Sequence, residues 1–185
     1  MLERFALFGT SQSAAVSIAY AARHPDRVSH LVLSGGFALG WRKRGSAAEI
    51  ATREAMLTLI EQGWGHDNPA FRQVFTARLW PDITAEQSRS FDELQRVSAS
   101  AENAARVQRA VGEIDVTGLL PLVKMPTLVL QSTGDATVPR ELGIMLAQGI
   151  GNARFVEIES RNHFPLSHEG CWETYVNEIL GFLGK

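Results

Sequence analysis

One cysteine, Cys171, stands in a chain of 185 residues, so neither an internal disulfide nor a cysteine-built zinc cluster can staple the fold. There is no run of the roughly 18 to 20 apolar residues that a bilayer-crossing helix needs. The first residues, MLERFALFGTSQS, lack the basic start and long apolar stretch of a secretion signal, and a cytoplasmic location is expected. Positive charge is not in surplus either: 18 Lys and Arg face 20 Asp and Glu, for a net charge of −2. A dedicated nucleic-acid binder or a polybasic membrane anchor needs such a surplus, so neither nucleic acid nor membrane is the expected partner. A small molecule is. What the chain does have is the composition of an ordinary globular protein, 45% hydrophobic and 21% charged, in a length that suits a single domain, residues 1–185, with a real core.

Apolar runs and helix-favouring stretches alternate along it. Residues 4 to 8 form a short apolar run ending at Gly9, as a buried strand does. An Ala-rich stretch from Ser13 to Arg23 predicts a helix stopped by Pro25, and Val28 to Leu33 predicts a second strand closed by Gly35-Gly36. Strand, helix and strand in about thirty residues make a parallel βαβ unit. A long interruption follows, read as a helical insertion over 37–122, with helices expected at 47–62, 85–97 and 103–111. Strands are expected again at 127–131 and 154–158, with helices at 139–148 and 167–183. This alternation predicts an α/β fold with a parallel sheet of about four strands flanked by helices.

The sharpest local signal is Gly9-Thr10-Ser11-Gln12-Ser13 between the first strand and the first helix. A nucleophile elbow needs that setting, because the tight turn lifts the serine oxygen above the strand end while small residues on either side let strand and helix approach. Ser13 replaces the usual second glycine but is still small. The helix dipole favours negative charge here, and the Gln12 N–H is free to bind an oxyanion. A serine hydroxyl is a weak nucleophile and needs a base oriented by an acid. Asp135 lies just past one strand end, in QSTGDATVP, and His163 just past the next, in ESRNHFP. Ser11, Asp135 and His163 are thus the candidate nucleophile, acid and base, in that order at successive strand ends. Taken singly, Ser11 also suits a helix cap, Asp135 a turn and His163 an ordinary loop.

Asp115 is the reserve acid. His24, His30, His66 and His168 suit structural positions, and no histidine pair stands with a cysteine or carboxylate at metal-ligand spacing, so neither a metal nor another cofactor is expected. Arg42-Lys43-Arg44 reads as a solvated loop. Phe37, Trp41 and Trp80 are candidate substrate-binding aromatics, with packing inside the insertion the competing reading.

These segments together resemble the α/β-hydrolase fold family. The resemblance rests on F-G-T-S-Q-S, the following A-A-R-H-P-D-R-V-S-H-L-V-L-S-G-G, P-T-L-V-L-Q-S-T-G-D-A-T-V-P and S-R-N-H-F-P-L, and it spans essentially the whole chain. It implies a serine hydrolase that cleaves carboxylic esters, of short to medium acyl chain, through an acyl-enzyme. Members that dehalogenate or open epoxides carry an Asp at the elbow, so Ser11 argues against those reactions. The stretch W-R-K-R-G-S-A-A-E-I-A-T-R-E-A-M is similar to hydrolase domains fused to adenylate cyclases or to LuxR-type regulators. That likeness keeps open a non-catalytic ligand-sensing or regulatory module, or a fragment of a larger fused protein. The family fold has several strands before the elbow and a loop that supplies a second oxyanion donor, so the resemblance implies an N-terminally truncated, partial fold. Loss of such a donor costs about 10² to 10³ in rate. The first strand would then lie at a sheet edge, and a homodimer formed through it or its neighbouring surface is expected.

Overall fold

The computed structural model describes residues 3–184. In chain order its elements are β1 (Phe5–Thr10), α1 (Gln12–Arg23), β2 (Val28–Ser34), α2 (Trp41–Arg44), α3 (Ala47–Gly63), α4 (Ala70–Leu79), α5 (Ala85–Ser98), α6 (Ala101–Gly112), β3 (Thr127–Ser132), α7 (Arg140–Gly149), β4 (Ala153–Ile158) and α8 (Trp172–Phe182). They fall into two compact units, one made of the residues up to Ala38 and from Asp115 onward, the other of Leu39–Ile114.

The first unit is a four-stranded parallel sheet in the order β1-β2-β3-β4. Side chains alternate across a strand, and here the alternation sorts the core into two halves. Leu31, Leu33 and Val129 face Ala14, Ile18 and Ala21 of α1 and Leu146 of α7. Val32, Leu128 and Leu130 turn the other way and pack with Tyr175, Val176 and Ile179 of α8. Every residue of β3 is buried, whereas β1 alternates between covered and exposed positions. The sheet therefore needs apolar residues on both faces of its central strands, which is why 31–33 and 128–130 are continuous apolar runs. At the end of α1, His24 still donates its N–H to Tyr20 O, and Pro25 opens a 3₁₀ turn.

The second unit is helical. Its helices begin where side chains can accept the free N–H groups of a first turn: Ser46 accepts from the Glu49 N–H, Ser100 from the Asn103 N–H, and Thr84 and Gln87 cap each other reciprocally. Trp41, Leu57, Ile60, Ala104 and Ala105 form its core. The buried faces of α4 and α5 are polar. The Thr76 hydroxyl donates to Asp92 Oδ1 at 2.5 Å, Gln95 Nε2 donates to Thr76 Oγ1 at 2.8 Å, and Arg72 donates to the Trp64 and His66 carbonyls. The basic run lies in α2 rather than in the loop the sequence suggests, with Arg42 ion-paired to Glu54 and Glu113 and Arg44 to Glu49. Among the described residues no helix is long and apolar enough to cross a membrane.

Candidate active site

Ser11 is the single residue between β1 and α1, and its backbone sits at φ 50° and ψ −126°. It is the one non-glycine residue at positive φ among those described. Such a conformation costs on the order of 1–3 kcal/mol and persists only where the surroundings enforce it. The Ser11 N–H donates to Ser34 O of β2 at 3.0 Å, and the Ser11 carbonyl accepts from the Ala14 N–H of α1 at 3.1 Å. Gly9 lets helix and strand close on each other, because a Cβ there would stand 2.5 Å from Ser17 Oγ and 3.0 Å from Ala14 Cα. The Ser13 hydroxyl accepts the Thr10 N–H at 2.8 Å and donates to the Thr10 carbonyl at 2.7 Å. Both backbone groups of the last β1 residue are thereby satisfied without a neighbouring strand.

Asp135 follows β3 in a turn that uses both carboxylate oxygens. Oδ1 accepts the Thr137 and Val138 N–H groups at 2.7 and 2.9 Å, which fixes the carboxylate plane. Oδ2 lies 2.6 Å from His163 Nδ1 and also accepts from Gln131 Nε2 at 3.3 Å. Gln131 is itself pinned by donating to Val138 O at 2.9 Å. Asp135 is 7% exposed and His163 1%. Against an ionised carboxylate the proton belongs on Nδ1, which leaves Nε2 with its lone pair. Nε2 is buried and meets no hydrogen-bond partner among the described residues, so Ser11 Oγ does not bond it here.

The glycine after β2 makes room for the imidazole. Gly35 has φ +55°, donates its N–H to Leu130 O at 2.9 Å, and carries no Cβ where one would meet His163 Cε1 at 2.9 Å. The loops that carry Asp135 and His163 are stitched together, with the Thr133 N–H donating to Ile158 O and the Gly134 N–H to Ser160 O. Behind β2, the Tyr175 hydroxyl bonds Ser34 Oγ at 3.1 Å; burial pushes the phenol's pKa up, and that bond opposes it only in part.

The other sequence candidates fall elsewhere. Gln12 is the first residue of α1, so its N–H is one of the helix's unsatisfied donors. Phe37 is 5% exposed in the segment after β2. Trp41 is 3% exposed within the core of the helical unit, and Trp80 caps α4 with its ring edge-on to Phe91 at 4.5 Å. Asp115 accepts from the Thr117 N–H and hydroxyl. His24, His30 and His66 pack on Tyr20, Phe182 and Phe71. Among the described residues no three His, Cys, Asp or Glu side chains gather as a metal would require. Gln131 and Gly35 lie inside segments that carry the resemblance, but nothing in their residue type assigns them the contacts they make with Asp135 and His163, and Glu169 lies outside those segments.

Four parallel strands with helices on both faces, and a strained serine at a strand-to-helix turn, define an α/β-hydrolase fold. The chain aligns with an esterase from Exiguobacterium antarcticum at a TM-score of 0.82 and 20% identity, covering 97% of this chain and 66% of that one. It is 27% identical to the strigolactone esterase D14 of Arabidopsis thaliana, with 89% of this chain aligned to 61% of that protein. It is 29% identical to a 2-hydroxy-6-oxo-6-phenylhexa-2,4-dienoate hydrolase of Comamonas testosteroni, with 88% aligned to 57%. The chain thus spans about three fifths of the length of these curated relatives. No protein-family model matches it.

Proposed function

We propose that this protein is a serine hydrolase that cleaves carboxylic esters through an acyl-enzyme on Ser11. The observation that carries this reading is the buried Asp135–His163 pair at 2.6 Å, whose second ring nitrogen is left without a partner. A neutral imidazole held in one tautomer by a carboxylate is what a serine needs from a general base. In the first step His163 Nε2 takes the Ser11 hydroxyl proton as Oγ bonds the ester carbonyl carbon. The Gln12 N–H, at the positive end of α1, stabilises the oxyanion. Collapse breaks the carbon–oxygen bond, and the departing alkoxide receives the proton from His163. Water then repeats the sequence, with His163 as base, and releases the acid. Asp135 keeps Nδ1 protonated throughout and stabilises the imidazolium.

The relatives are named for an ester substrate and for a hydroxy-oxo-dienoate, so the substrate panel spans both, beginning with esters of short and medium acyl chain. Ser11→Ala is expected to lower turnover of p-nitrophenyl acetate by at least about 10³-fold. A fluorophosphonate is expected to label the unmodified protein and not the variant. Full turnover in Ser11→Ala would refute the nucleophile. Absence of labelling in a folded protein would mark a hydrolase-like module without turnover.

A further inference from the structure

His163 stands in the segment between β4 and α8, where neither strand nor helix holds it. Proton transfer requires the ring within a few tenths of an ångström of its working position, so something other than secondary structure must fix the backbone on both sides of it. One carboxylate does. Glu169 Oε1 accepts from Asn162 Nδ2 at 2.9 Å and from the Leu166 N–H at 2.5 Å, and Oε2 accepts from the Ser160 hydroxyl at 2.6 Å. Ser160 Oγ in turn accepts the Asn162 N–H at 3.0 Å. Asn162 is wholly buried and directly precedes His163, while Leu166 lies three residues after it. The carboxylate therefore ties down the chain before and after the imidazole.

Burial would push the Glu169 carboxyl up. The bonds from Asn162, Ser160 and Leu166 together outweigh that and hold it below its ordinary value. It is thus ionised at neutral pH, and charge-assisted acceptors of this kind are roughly twice as strong as neutral ones. Asp135 fixes the ring from one nitrogen only, which leaves the ring free to move with its own backbone. From this clamp, and resting on the reading of His163 as general base, we infer that Glu169 is the positioning residue that holds His163 in register with Asp135 and Ser11.

The test uses the full chain with Glu169→Ala, Glu169→Gln, Ser160→Ala and Ser11→Ala. Two readouts are taken: kcat and KM for p-nitrophenyl acetate per folded molecule, and the proton resonance of His163 Nδ1–H shared with Asp135. Misplacing a reacting group by about 1 Å costs about 10² in rate, so Glu169→Ala is expected to lose about 30- to 100-fold in kcat with KM within about twofold. Its Nδ1–H resonance is expected to broaden. Glu169→Gln keeps one carbonyl oxygen for Asn162 and Leu166 and is expected to stay within about fivefold of the parent. Ser160→Ala, which removes two links and leaves the carboxylate, is expected to lose about 3- to 10-fold in kcat. If Glu169→Ala does not fold, Ser160→Ala carries the decision. Parental kcat and a parental Nδ1–H line in the folded variants would overturn the inference. A wild-type protein no faster than Ser11→Ala would defeat the proposed function instead, and the resonance alone would then decide the role of Glu169.

Discussion

Ser13 shows how one atom can replace a whole partner. It stands where a nucleophile elbow ordinarily has a second glycine, and its side chain is used rather than merely tolerated: one hydroxyl serves both the N–H and the carbonyl of Thr10. Glycine would allow the same close approach and leave both groups unmet. Ser13→Ala is accordingly expected to lower stability by about 1–2 kcal/mol, the usual cost of stranding such groups in a partly buried place. Urea denaturation would read this as a lower midpoint at unchanged slope. A midpoint equal to the parent's would mean that water serves Thr10 equally well. Ser11, Asp135 and His163 stand out in the sequence as candidates because the proposed chemistry would dictate residue type, order and distance from strand ends. The residues that brace them act through hydrogen bonds to whichever neighbour the fold supplies, and no residue type is unique to that task.

At the scale of elements, the strands are the most legible part of the sequence and the helices of the second unit are legible unevenly. All four strands lie within two residues of their expected positions, because each central strand buries an apolar run. α4 is not expected from the sequence at all: its buried face carries Arg72 and Thr76, and α5 meets it with Asp92 and Gln95. A face buried through Arg72 and Thr76 leaves no apolar stripe to count, whereas α5 lies at 85–98, where the sequence predicts a helix over 85–97. The sequence predicts the last helix from 167, but it starts at Trp172, because Leu166 and Glu169 are drawn into the turn around the Glu169 carboxylate. That turn predicts an acid-sensitive loop. The folded carboxyl titrates below its ordinary 4.5, so between the two values the unfolded chain binds more protons and stability rises with pH. The contribution is full above the ordinary value and is lost as pH falls through the lowered one. The thermal midpoint of the parent should therefore exceed that of Glu169→Gln at pH 7, and the gap should close in the acid range below 4.5. A gap constant across that range would sink the linkage.

Across the whole molecule, the two units have separate cores. The two clusters that flank the sheet draw only on residues up to Ala38 and from Val116 onward, and the helical cluster draws only on residues between Trp41 and Val111. The chain leaves and rejoins the sheet unit at one place: the Val116 N–H donates to Ala38 O at 2.9 Å, and inside the helical unit the Gly40 N–H donates to Ile114 O at 2.8 Å. An insertion whose ends are already paired adds little loop-closure cost to its host, and removing it should remove little more than itself. Ser11, Asp135, His163, Gln131 and Glu169 all belong to the sheet unit, as does every hydrogen-bond partner described for them. Replacing 39–114 by a short Gly-Ser turn should therefore leave a chain that unfolds cooperatively, with a shallower urea dependence in proportion to the surface lost. Its Ser11 should react with a fluorophosphonate within about tenfold of the full-length rate, since the groups proposed to activate the serine are retained. A shortened chain with no cooperative transition would show that the separate clusters are not separately stable. A folded but unreactive one would show that activation of Ser11 depends on residues 39–114.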